Sequence, residues 1–182
     1  MKQYKKYSDV PKKYRFDLDS LLNGLTIEEL IEKLFKELDK NLKVKDSKYE
    51  NSQTYLKYLK DQEKITVLFN KVSNYISNNL SINVIDKKNN QLNEDLNFRF
   101  FNYQKKLGSE TNRIFKNEKK LKEWIQLDEF KNFKKDIEFT LTKKKHKFEN
   151  NIEEFIKRIS RAEISAYEVF SIITNSELNY DY

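Results

Sequence analysis

Apolar residues return every three or four positions through most of this chain, and charged residues fill the gaps. From Ile27, the positions Leu30, Ile31, Leu34, Phe35, Leu38 and Leu42 fall on one stripe, which predicts an amphipathic helix with a single buried face. Its start is marked by Thr26-Ile27-Glu28-Glu29, the spacing at which a threonine hydroxyl and a glutamate carboxylate satisfy the orphan amides of a first turn. A second helix is predicted from near Ser52 toward Leu80, with Tyr55, Leu56, Leu59, Leu68, Val72, Tyr75, Ile76 and Leu80 inward. Ile82-Asn83-Val84-Ile85-Asp86 reads as a turn rather than a strand, because its β-branched residues sit beside Asn and Asp. A third helix carries Leu92, Leu96, Phe100, Tyr103, Leu107, Ile114 and Phe115. Gly108 lies inside that pattern and costs a continuous helix about 1 kcal/mol relative to Ala.

Further along, Asn117 or Glu118 opens a short helix ending near Trp124-Ile125. Asp128 is placed to cap the next helix, with Phe130, Phe133, Ile137 and Leu141 inward and Phe139 off the stripe. Phe148, Ile152, Phe155, Ile156 and Ile159 form another stripe, and a last short helix holds Tyr167, Val169, Phe170, Ile172 and Ile173. Ahead of all these, Pro11 closes an amino-terminal arm, and Tyr14-Arg15-Phe16-Asp17-Leu18 alternates bulky with polar residues before a turn at Asn23-Gly24. No repeat, low-complexity tract or Gly/Ser linker divides the chain. The expected fold class is therefore all-α: a single multi-helix domain of antiparallel amphipathic helices over residues 26–175, preceded by a short extended arm and turn over residues 1–25.

Composition narrows the function classes. Two glycines and one proline are too few for a turn-rich sandwich or barrel, and they cannot furnish the glycine-dense phosphate loops of P-loop or dinucleotide-binding proteins. The 36% charged fraction is balanced by a 14% aromatic fraction, so there is apolar mass enough for a core. A net charge of +7 and a pI near 9.2 suit an acidic partner, but lysines alternate with acids along almost every segment and no nucleic-acid reader motif accompanies them. Solvated helix faces are the reading that fits.

Candidate chemistry is sparse. One histidine, His146, and no cysteine exclude two-histidine zinc motifs, cysteine nucleophiles and zinc ribbons from these 182 residues. His146 lies in a run of lysines with no motif to orient it as an acid or base. The carboxylate pairs Glu28-Glu29, Glu94-Asp95 and Glu153-Glu154 read as exposed solubility residues, since nothing adjacent suggests the burial that raises a catalytic carboxyl. No position is assigned a catalytic, cofactor-binding or metal-ligating role. The basic start lacks an apolar run behind it, and no stretch approaches the ~20 apolar residues of a membrane span, so a cytoplasmic protein with no membrane partner is expected.

Four segments carry a family resemblance, in order along the chain. Val169-Phe170-Ser171-Ile172-Ile173-Thr174-Asn175-Ser176-Glu177-Leu178 resembles the segment of oligoendopeptidase F and its relatives in which an Asn-Ile-Phe-Ser-Met-Leu-like helix ends and enters a strand. Tyr14-Arg15-Phe16-Asp17-Leu18 is similar to that family's entry motif of aromatic, Asp and Leu. Leu68-Phe69-Asn70-Lys71-Val72-Ser73-Asn74-Tyr75 resembles its Lys-Leu-Tyr-Val-Tyr-like helix, and Lys145-His146-Lys147-Phe148 with Glu153-Glu154 resembles its Lys-His-Thr-Leu followed by acidic residues.

The resemblance implies the amino-terminal helical region of a thimet oligopeptidase-like zinc metallopeptidase, without its catalytic domain. Such enzymes cleave oligopeptides inside a closed, largely helical chamber, at zinc held by a His-Glu-x-x-His helix and a distant Glu. His146 matches neither zinc histidine, so no catalytic residue carries over. The role implied is that of a non-catalytic chamber-wall region whose partners are the missing catalytic domain and an oligopeptide substrate, with zinc in the parent enzyme alone. Residues 176–182, the start of a strand in the family, are expected to form a truncated, frayed tail. The competing expectation is a stand-alone basic helical module that binds an acidic protein or nucleic acid.

Overall fold

The computed structural model describes residues 9–146 and Phe170. Among the described residues regular structure is entirely helical, as expected for an all-α domain: α1 (Ile27–Lys43), α2 (Ser52–Ile82), α3 (Lys87–Leu107), α4 (Glu110–Lys116), α5 (Glu118–Trp124) and α6 (Lys134–Thr142), with short 3-10 turns between them. The stripe from Phe148 to Ile159, the tail 176–182 and the last short helix apart from Phe170 lie outside the described residues. Phe170 itself is helical and exposed.

The helix starts follow local side-chain chemistry. At α1 the capping box forms in full: the Thr26 amide donates to Glu29 Oε2 at 2.8 Å, and the Glu29 amide donates back to Thr26 Oγ1 at 3.2 Å. Asn51 Oδ1 accepts from the Thr54 amide at 3.0 Å ahead of α2, and Asp86 Oδ1 accepts from the Asn89 amide at 2.8 Å ahead of α3. The turn predicted at Asn23-Gly24 is present, both residues having positive φ, 52° and 79°. Before it, 3-10 turns at Lys12–Tyr14 and Asp19–Leu22 flank a segment that begins with extended backbone at Arg15.

Two details differ from the sequence pattern. The helix expected to run from Leu92 to Phe115 is broken, because Gly108 takes φ +68° and ends α3, and Ser109 starts α4 by accepting from the Asn112 amide at 3.2 Å. Gly108 is thus a stop signal rather than a weak point inside a helix. Asp128 opens a 3-10 turn without a side-chain cap, and α6 begins only at Lys134.

By contact, the chain gathers into two compact units: a first from Met1–Lys43 with Asp61–Lys106, and a second from Val44–Lys60 with Leu107–Tyr182. In the first, the α1 stripe is buried as predicted from Ile27 to Leu38, along with Ile65, Val72, Ile76, Leu96 and Tyr103. Phe69 and Phe100 meet there with ring centroids 5.0 Å apart. In the second, Tyr49, Tyr55, Leu56, Tyr58, Leu121, Ile125, Phe130 and Ile137 form one core, with Trp124, Phe133 and Leu141 packed against it. Tyr55 is its centre, in ring contact with Tyr49, Tyr58, Trp124 and Phe130.

Candidate functional site

Among the described residues, each unit gathers polar side chains into a distinct centre. In the second unit, the 3-10 turn Ser47–Tyr49 carries Lys48 into the core, where the residue is 1% exposed. Its Nζ lies 2.7 Å from Glu110 Oε1, at the first position of α4, and 3.5 Å from the centre of the Tyr58 ring. The same carboxylate accepts from Tyr49 Oη at 2.6 Å and from Arg113 Nε and Nη2 at 3.0 and 2.8 Å. Arg113 Nη1 donates to the Leu107 carbonyl at 2.8 Å, and Lys120 Nζ donates to the Tyr49 carbonyl at 2.9 Å.

Burial dominates the electrostatics of this centre. It pushes Lys48 down to about 8 against the opposing pull of Glu110. For Glu110, burial is the largest influence and would raise the carboxyl, but Lys48, Tyr49 and Arg113 together hold it below the usual range. The phenols of Tyr49 and Tyr55 are raised, first by burial and then by Glu110. Two cations and the Tyr49 phenol around one carboxylate tie residues 44–60 to α4. Sequence reasoning missed this centre, because a pair 62 positions apart leaves no periodic trace.

In the first unit, an open groove of about 670 Å³ is lined by Lys33, Lys36, Lys40, Lys43, Glu32 and Asp39 of α1, with Phe35 and with Arg99 of α3. Arg99 is fixed from three sides. It donates to both carboxylate oxygens of Glu32, stands 3.8 Å from Asp95, and stacks its guanidinium carbon 4.0 Å from the Phe35 ring centre. Lys40 pairs with Glu37 at 2.6 Å.

The residues weighed from sequence fall elsewhere. His146 is exposed, at the end of a 3-10 turn. Glu28 is lowered, first by backbone hydrogen bonding and then by Lys88, which lies 3.1 Å away, and Glu29 belongs to the capping box. Asp95 faces Arg99, and Glu153-Glu154 lies outside the described residues. Glu118 at the start of α5 is pulled down to about 2 by Lys122 and Lys144. Among the described residues, no three His, Asp or Glu side chains gather in a group that could hold a metal ion. No described helix is long and apolar enough to cross a membrane.

Comparison with known proteins converges on one family. Residues 116–180 match the family model described as Oligopeptidase F. The chain is 28% identical over 175 residues to an oligoendopeptidase F homolog of Mycoplasma pneumoniae, an alignment covering 91% of this chain and 28% of the relative. No solved structure matches it. The chain therefore spans little more than a quarter of the curated relative's length, and together the two matches support its assignment as an oligoendopeptidase F amino-terminal region.

Proposed function

We propose that this chain is the non-catalytic helical part of an oligoendopeptidase F-like zinc metallopeptidase, forming part of the wall that encloses an oligopeptide. The observation that carries this reading is the alignment itself, which takes in 91% of the chain and leaves most of the relative unmatched. Bond cleavage then belongs to a catalytic region supplied beyond these residues, which is the principal partner, and zinc belongs to that region too. The single histidine supports the division of labour, since a His-Glu-x-x-His pair cannot be written with one. Helices with one buried stripe and one charged face suit a wall: the apolar side holds the shape, and the polar side meets solvent and peptide.

Purified chain is expected to leave fluorogenic oligopeptides intact at all zinc concentrations and to bind zinc below one equivalent. Zinc-dependent cleavage by contaminant-free protein would overturn the reading. An in-frame His-Glu-x-x-His segment encoded downstream of Tyr182 would strengthen it.

A further inference from the structure

We propose that the groove beside α1 in the first unit docks carboxylate groups of a short peptide, with Lys36 and Lys43 as the principal contacts. This deepens the wall reading, on which it rests, by naming the side chains that meet the peptide and the chemistry they select. Lys33, Lys36, Lys40 and Lys43 succeed one another at spacings of three and four, so they climb one side of α1 over about 15 Å. Lys40 is answered by Glu37, whereas Lys33, Lys36 and Lys43 have no ion-pair partner among the described residues. Acids stand four residues before Lys33, Lys36 and Lys43, at Glu29, Glu32 and Asp39, yet close no ion pair with them, and the concavity these lysines border is lined by five cations and two carboxylates.

The rest of the lining selects the occupant. Arg99 is already engaged by Glu32 and Phe35, so it shapes the groove instead of reaching for a ligand. Asp39 puts negative charge in the same groove, beside the Glu32 carboxylate that Arg99 already holds. A phosphodiester backbone, with charge at every step, would meet those carboxylates as well as the lysines. A short peptide with a carboxylate meets only the lysines with its charge and offers N–H groups to the acids. The volume, about 670 Å³, lies within the range of sites that take small ligands, roughly 300–1,000 Å³.

The test uses the 182-residue chain and fluorescence anisotropy at low salt. Three amino-terminally labelled pentapeptides are compared: a neutral sequence with a free terminal carboxylate, the same sequence amidated, and the amidated sequence with one internal Glu. The first is expected to bind about tenfold more tightly than the second, and to weaken as salt rises. Tight binding by the third as well assigns the recognised carboxylate to side chains as well as chain ends. K36Q/K43Q lies on an exposed helix face, and its fold is checked by circular dichroism. It is expected to weaken carboxylate binding about tenfold and to leave the amide unchanged. Equal binding of acid and amide, indifference to K36Q/K43Q, absence of binding at low salt, or displacement of the peptide by substoichiometric duplex DNA each overturns the proposal. None of these results bears on peptide cleavage, so failure of the groove and failure of the wall reading remain separate outcomes.

Discussion

Glu110 faces more positive charge than it can neutralise, and that imbalance decides how the second unit answers mutation. Glu110→Gln leaves Lys48 and Arg113 without a counter-ion, Lys48 being 1% exposed, so a loss of about 3–5 kcal/mol is expected in urea unfolding. Lys48→Met keeps most of the aliphatic volume and leaves Glu110 bonded to Arg113 and Tyr49; it is expected to be neutral or stabilising. The pH dependence follows the same charges. Lys48 has an ordinary value of 10.5 unfolded and about 8 folded, so the unfolded chain binds the extra proton between those values and stability rises as pH climbs through that window. Tyr49 and Tyr55 are raised above their ordinary value of 10.0, so the stability they contribute is present below it and is lost above it. Glu110, held low, contributes stability that is lost on acidification below its ordinary 4.5. The urea midpoint is therefore expected to peak between about pH 9 and pH 10, and Lys48→Met is expected to abolish the rise toward that peak. A midpoint flat from pH 7 to 10 in the parent chain would contradict this account. Apart from Tyr55, which lies on the inward stripe read for the second helix, this centre was not legible from sequence, since a lysine beside a tyrosine in a polar segment looks solvated until a distant carboxylate is folded onto it.

At the scale of elements, what the sequence showed well was whatever the chain encodes within a few residues. The α1 stripe and its capping box are local, and both formed as the spacing predicts. Thr26→Ala is expected to cost about 1 kcal/mol, read from the shift in thermal or urea midpoint, with the loss confined to the fraying of α1. The break at Gly108 was harder to see, because Ile114 and Phe115 continue the apolar spacing across it. Apolar period alone cannot distinguish a helix that contains a glycine from two helices separated by one. The signal that resolves it is Ser109 followed by Glu110, a cap residue and an acid in the first turn, directly after the glycine. Gly108→Ala tests that role. A Cβ there would meet only Arg113 Nη1, at 3.8 Å, so space is not the obstacle and the positive φ is. The substitution is expected to destabilise by about 1–2 kcal/mol. Were Gly108 instead a flaw inside one long helix, alanine would stabilise, so the sign of the change is the test. Tyr58 and Ile65 show a related gap: both are buried in α2, yet neither falls on the stripe read from sequence. That helix gives its first turns to one unit and the remainder to the other, and its buried face is not a single line.

For the whole molecule, net charge is the quantity that separates the wall reading from a basic interaction module. A charge of +7 would support phosphate binding if the cations were gathered on one surface free of acids. Instead, acids stand among them and several form direct pairs: Lys88 pairs with Glu28, Lys64 with Asp61, and Lys122 and Lys144 both with Glu118. Each such carboxylate must be displaced, or its repulsion borne, before a phosphate takes its place. A protein making six to ten phosphate contacts loses roughly 10³–10⁵ in affinity between 50 and 200 mM salt, because that many counterions are released. For this chain the expected result with a 20-base-pair duplex is weak binding at the lowest salt, a log–log salt slope shallower than about −3, and no measurable binding at physiological salt. Micromolar binding at physiological salt with a steep slope would show that the interleaved acids do not screen the lysines, and would return the basic module to first place. The same titration constrains the α1 groove, where two carboxylates sit among five cations. A groove that favoured duplex over peptide would have to tolerate phosphates against Asp39, and Asp39→Asn, which leaves the Glu32–Arg99 pair in place, would then leave duplex affinity unchanged. If Asp39 is what turns phosphate away, that substitution raises duplex affinity, and the expected outcome is the increase.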